Sequence, residues 1–247
     1  CIVTENRKEK KMDKVLHRAA TRGHADHGWL DTYHTFSFAD YYDPKRIHFG
    51  ALRVLNDDTV APGEGFGTHP HANMEIVSIP LSGALRHRDS MGYVQELRPG
   101  GIQVMSAGTG ITHSEFNASD TEPVKFLQIW VLPDARGHRP RYDQLTLAPA
   151  VRNELRPIVA PEGFGNEHVG WIHQRAWFHT LDLDAGRGAD YRLRLFGDGV
   201  YLFVLEGCVE TAGETLSRRD GLGICGAGEL RIDAAADASV LLIEVPM

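Results

Sequence analysis

Cysteine is scarce in this chain. Among 247 residues there are three, Cys1, Cys208 and Cys225, and no C-x-x-C pair. A disulfide framework and a cysteine zinc ribbon are therefore not expected. Cys208 and Cys225 fall in strand-like runs and read as buried thiols. Positive charge is also short: 26 Lys and Arg against 33 Asp and Glu leave a net −7. A nucleic-acid surface needs clustered basic residues, so that partner class is not expected. The one basic run, "RKEKK" at 7–11, contains a glutamate and reads as a solvated tail. No apolar stretch reaches the roughly 18 residues of a membrane span, and no signal-peptide pattern occurs. These absences give the expectation of a cytoplasmic protein that makes no membrane contact. Residue 1 is Cys and recognisable patterning begins only after Met12, so residues 1–11 are expected to be a leader or a non-native extension. There is no G-x-S-x-G elbow and no G-x-G-x-x-G between a strand and a helix, which argues against a serine hydrolase and a dinucleotide-binding protein.

Helical periodicity is the last thing missing. Instead, short apolar runs recur between Gly, Asp, Asn and Pro, such as "GALRVLNDD" (50–58), "EIVSIPLSG" (75–83), "VKFLQIWVLP" (124–133), "GVYLFVLEG" (199–207) and "SVLLIEVP" (239–246). Many short strands with turn signals between them predict an all-β sandwich or barrel. "DSMGY" (89–93) predicts a hairpin turn with Gly92 at positive φ. The halves also echo each other. "IPLSGALRHRDS" followed by "LRPGGIQVMSAGTG" parallels "FVLEGCVETAG" followed by "LSRRDGLGICGAGE". This predicts two tandem barrels, 12–140 and 141–247, joined by a Pro-, Gly- and Arg-rich connector over 132–165.

The chemistry is carried by two pairs. "GFGTHPHANMEIV" (65–77) holds His69 and His71, and "SAGTGITHSEFN" (106–117) holds His113 and Glu115. Residues i and i+2 of a strand share a face. If both strands line one interior, three imidazoles and a carboxylate converge there, an expensive burial unless something binds them. One H-x-H among thirteen histidines is unremarkable. Two such pairs beside glycine turns point to a divalent metal. His87, in "RHRDS", reads as a loop histidine, and His168, His173 and His179 read as loop or packing residues. The aromatics Tyr33, Phe36, Phe38, Tyr41 and Tyr42 read as core. Met105, Gln128 and Trp130 read as lining the mouth of the pocket.

The same motifs carry a resemblance. "GTHPHANME" and "GTGITHSEFN" are similar to the two cupin motifs. With "HGWLDTYHTFSFADYYDP" (27–44) and "LRVLNDD" (52–58), the stretch from about His24 to Pro133 resembles the pirin family of bicupins. The resemblance implies two cupin barrels and one divalent transition metal, Fe(II) first among the candidates, in the first barrel. The ligands it implies are His69, His71, His113 and Glu115. Many cupins take their carboxylate from the position of Glu75, which is kept as an outer-sphere candidate. The resemblance further implies a quercetin 2,3-dioxygenase acting on a flavonol-like molecule and dioxygen, with Glu115 also serving as general base. Three histidines and one carboxylate leave two positions of a six-coordinate ion open. In the second barrel, "DYRLRLF" (190–196) and "ELRIDA" (229–234) stand where the pairs should be, so that barrel is expected to hold no metal. The alternative reading is a metal-binding, redox-sensing regulator that works through a protein partner and has no robust catalysis.

Overall fold

The computed structural model describes residues 12–195 and 197–247. Residues 1–11, read above as an extension, and Cys1 with them lie outside the described residues. The regular secondary structure of the described chain is almost entirely strand; its helical content is one 3₁₀ turn, Ala19–Thr21. The strands of the first half are β1 Asp13–His17, β2 Gly23–Asp26, β3 Leu30–His34, β4 Leu52–Val60, β5 Gly65–His71, β6 Glu75–Ser82, β7 Leu85–Asp89, β8 Val94–Leu97, β9 Gly101–Ser106, β10 Ile111–Asn117 and β11 Val124–Val131. Those of the second are β12 Arg141–Thr146, β13 Leu155–Pro161, β14 Gly170–Ile172, β15 Trp177–Leu183, β16 Gly188–Arg192, β17 Asp198–Glu206, β18 Cys208–Thr211, β19 Glu214–Ser217, β20 Gly221–Cys225, β21 Glu229–Ala234 and β22 Ala238–Pro246. Among the described residues no helix is long and apolar enough to cross a membrane.

Each half closes a seven-stranded sheet over a four-stranded one. The N-terminal pair runs β12-β9-β6-β11-β4-β3-β2 and β5-β10-β7-β8; the C-terminal pair runs β1-β20-β17-β22-β15-β13-β14 and β16-β21-β18-β19. The plan is the same twice, as the sequence echo predicts. The turns that begin the echoed hairpins carry Gly83 and Gly207 at φ 76° and 79°. At both, a Cβ would run into the start of a neighbouring strand, at Val124 of β11 and Ala238 of β22, so only glycine fits. The hairpin at Ser90–Tyr93 forms with Gly92 at φ 96°.

Alternation along the strands makes three apolar regions. The outer faces of the two large sheets pack on each other, with Val77, Val104 and Ile129 from one meeting Ile158, Phe178 and Ile243 from the other in one cluster. A second cluster, including Leu202, Leu222 and Leu242, fills the C-terminal barrel. The N-terminal barrel has only small apolar groups at its ends, around Phe126 and around Met105. A polar clamp adds to the interface: Arg219 Nε donates to Asp57 Oδ2 at 2.7 Å, with Arg22 at 3.5 Å from the same oxygen.

Several expectations need correction. The stretch 132–165 is not a plain connector, since it contains the whole of β12 and β13. β12 follows residue 140 yet extends the N-terminal sheet, while β1 near the start extends the C-terminal one. The two halves trade edge strands. Cys208 and Cys225 are half-buried and sit on different strands, β18 and β20.

Candidate metal centre

Strands β5 and β10 pair antiparallel, so that His69 faces His113 and His71 faces Ile111. The spacing of two turns all three imidazoles into the barrel. A register shift between His113 and Glu115 sets Glu115 opposite Phe66 rather than Gly67, and a bulge of this kind re-aims a side chain. One ring nitrogen from each of His69, His71 and His113 lies within 4.8 Å of the others. His69 Nδ1 donates to the Gly67 carbonyl at 2.8 Å, which leaves its Nε2 as a lone pair, 3.1 Å from Nε2 of His113. Hydrogens are assigned here from their partners.

Burial keeps two of these rings, His113 and His71, neutral. Burial, then the neighbouring His69 and His87, push His113 down to about 3. Burial, then His113 and His69, push His71 down to about 4. At neutral pH both offer lone pairs, as a metal requires.

Glu115 belongs to a second group of donors, with His113 and His87, again within 4.8 Å. Gln103 Nε2 donates to its Oε1 at 2.9 Å and Gln128 Nε2 to its Oε2 at 2.8 Å. Tyr142 donates in turn to Gln103. Each carboxylate oxygen keeps a second lone pair, so the amides steer Glu115 without consuming it as a donor. Glu75, the outer-sphere candidate, is in neither group. It accepts from Ser106 Oγ at 2.7 Å and from the His173 backbone at 3.2 Å, and burial pushes it up to about 7.

The cavity between the donors measures about 60 Å³, and Phe38, Phe66, Gln128 and Trp130 help to line it. Outside lies an open depression of about 610 Å³ walled by Pro70, Ala72 and Ile111; His71 lines both spaces. The expected mouth residues Gln128 and Trp130 are present. Met105 is instead fully buried in an apolar cluster with Ile76. The aromatic group divides: Phe36 is core, Phe38 lines the cavity, and Tyr42 is 74% exposed.

Sequence reasoning missed His87. It lies on β7, not in a loop, and is fully buried. Its signal was the alternation of "LRHRD", which puts Leu85, His87 and Asp89 on the inner face and Arg86 and Arg88 outside. Gln103, a single polar residue in an apolar run, and Asp58, the last of three consecutive polar residues in "LNDD", were missed as well. Asp58 lines the cavity and is pushed up to about 7 by burial.

These residues fit a metal. The donors are nitrogen and oxygen with no sulfur, a set suited to Fe, Mn, Co, Ni or Zn. Nε2 of His69 and Nε2 of His113 face each other at 3.1 Å, and a cation between the strands would take the lone pair of each.

Comparison with known proteins gives a consistent result. The family described as Pirin matches residues 15–131, and one described as the quercetinase C-terminal cupin domain matches 158–245. The chain is 41% identical over 231 residues to the quercetin 2,3-dioxygenase of Escherichia coli K12, covering 94% of this chain and 98% of that protein. It is 39% identical over 223 residues to a pirin-like protein of Caulobacter vibrioides, covering 90% and 95%. Among solved structures, the bacterial pirin YhhW of Escherichia coli in complex with nickel(II) superposes with a TM-score of 0.89 at 40% identity, covering 95% of this chain and 99% of that one. The fold is thus two tandem cupin domains.

Proposed function

The chain belongs to the pirin family, and on that footing we propose that it is a metal-dependent dioxygenase opening the heterocyclic ring of flavonols such as quercetin. The observation that carries this reading is the convergence of His69, His71 and His113 beside Glu115, around a space for small ligands only. His69, His71, His113 and Glu115 would hold one divalent metal, Fe(II) by preference. That ion supplies a Lewis acid that lowers the pKa of a bound hydroxyl, together with open positions for small ligands.

The protein's own groups do the rest. A flavonol is far too large for about 60 Å³, since ligands of that class occupy pockets of roughly 300–1,000 Å³. Its rings would lie in the depression beside His71, against Pro70 and Ile111, with only the hydroxyl edge reaching inward. Trp130, edge-on to His71 at 4.9 Å between ring centres, and Phe38, edge-on to Trp130 at 5.3 Å, keep that side apolar and exclude water. Glu115 would take the hydroxyl proton, and the hydrogen bonds from Gln103 and Gln128, which aim its oxygens, support that role.

The test is oxygen uptake and bleaching of quercetin absorbance by iron-loaded protein. Both are expected, and His71→Ala should abolish both. If protein loaded in turn with Fe, Mn, Co, Ni and Cu never exceeds free metal, the dioxygenase reading fails and the regulatory one replaces it.

A further inference from the structure

Strands β7 and β10 place four polar side chains in a square on the inner face of the barrel. Asp89 stands opposite His113, and His87 opposite Glu115. The diagonal brings the rings of His87 and His113 to 5.3 Å between centres. Asp89 is fixed at both oxygens. Its Oδ1 accepts the backbone N–H groups of Met91 and Tyr93 at 2.9 and 3.2 Å, and its Oδ2 accepts from His87 Nε2 at 2.9 Å. Tyr142 stacks on the His87 ring at 4.2 Å and 19° and holds its plane.

The tautomers follow from these contacts. Asp89 can only accept while ionised, so His87 carries its hydrogen on Nε2 and presents Nδ1 as a lone pair. That Nδ1 has no partner, and neither has Nδ1 of His113. His113 turns its Nε2 toward His69. With that Nε2 given to a cation, its one hydrogen must sit on Nδ1. The two unpartnered nitrogens are then complementary, one a donor and one an acceptor.

We propose that Asp89 and His87 are positioning residues that set the tautomer of His113, through an Asp89–His87–His113 relay that favours the form able to ligate through Nε2. The proposal rests on the metal reading of the same site. Asp89 is the switch. An asparagine there keeps Oδ1 for the turn but puts an N–H where His87 needs an acceptor. His87 would reverse, present Nδ1–H to His113, and stabilise the tautomer whose Nε2 is already protonated.

The test uses the full chain with zinc as a diamagnetic probe. Nitrogen-15 spectra of the zinc-loaded wild type should show His113 protonated at Nδ1 and His87 at Nε2. In Asp89→Asn, His87 should move its proton to Nδ1, and zinc affinity by chelator competition should fall about 10–100-fold. His87→Phe, which keeps the stack on Tyr142 but removes the acceptor, should lose a similar factor. The double variant should be no worse than the weaker single one, because in the relay both would act through His87 on His113. Additive losses with unchanged tautomers would reduce Asp89 and His87 to packing residues and overturn the relay. A second zinc per chain that disappears in His87→Phe would overturn it too, by making the His87, His113 and Glu115 group a metal seat of its own. If the wild type takes up no zinc, or His69→Ala binds as well as wild type, the metal reading itself fails and the relay with it.

Discussion

Aligning the two barrels on Gly83 and Gly207 matches their interiors residue by residue. Ser78, paired with Gln103 and Gln128, falls on Leu202, paired with Leu222 and Leu242. His69 facing His113 becomes Tyr191 facing Leu230, and Glu115 becomes Ile232. Asp58 falls on Leu181. One scaffold therefore has two fillings. The C-terminal barrel takes leucine at the positions where its partner takes glutamine, serine and carboxylate. Each buried leucine contributes about 2 kcal/mol, whereas a buried polar network at best offsets its own desolvation. The N-terminal barrel gives up that packing and gains a constellation of donors. The shared apolar interface between the large sheets lets it do so, because the structure does not rely on the N-terminal interior for its main core.

The comparison can be broken most directly by counting metal. His69→Ala and His113→Ala should each lose nearly all of it by elemental analysis, and anomalous scattering should give one strong peak per chain. A second peak near residues 190–235 would mean that the barrels are not divided in this way. Swapping matched residues sharpens the contrast. Leu242→Gln puts an amide among leucines and should cost roughly 3–5 kcal/mol in denaturant unfolding, from lost burial plus an unpaired polar group. Gln128→Leu should cost only about 1–3 kcal/mol, for the donor that Glu115 loses, while lowering metal affinity. Equal costs would show that the two interiors contribute alike.

Within the N-terminal barrel, Glu115→Gln should weaken metal binding about 10–100-fold, the scale of an altered metal environment. Glu75→Gln should do less, and the reverse order, read by chelator competition, would exchange their roles. The smallest effect is a slope. Glu75 is raised from 4.5 to about 7 in the fold, so between these values the native state binds more protons than the unfolded chain. Its stabilising contribution is complete below pH 4.5 and is lost as pH rises through 7. Unfolding curves at pH 5 and pH 8 should show this loss, at most about 1.4 kcal/mol per pH unit, and Glu75→Gln should flatten it.

Much of this was legible in the sequence. A period of two announces itself when both members of a pair are chemically unusual, as in His69 and His71 or His113 and Glu115. The echoed glycine turns gave the duplication away for an equally local reason, since positive φ excludes other residues. His87 and Asp89 stayed hidden because the arginines between and before them make "RHRDS" look solvated, and only pairing with β10 shows which members face inward. Gln103 and Gln128 are single polar residues whose meaning depends on a carboxylate from another strand. β13 was obscured by Pro157 and Pro161, the first of them at an irregularity in its pairing with β15, and the destinations of β1 and β12 are long-range facts that no local pattern carries.

The traded edge strands have a consequence for how the molecule is made. β1 pairs with β20, Asp13 against Cys225 and His17 against Gly221. β1 leaves the ribosome about 200 residues before β20 and must therefore wait for it before it finds its neighbour. Meanwhile β12, which completes the N-terminal sheet beside β9, emerges early enough for the donor-lined half to close while the rest is still being translated. Nascent chains arrested after residue 150 should already protect β9 amides from exchange while leaving β1 open. The donor-lined half would then be ready before the leucine-filled half exists, and the emergence of β20 would be the event that lets β1 complete the second barrel.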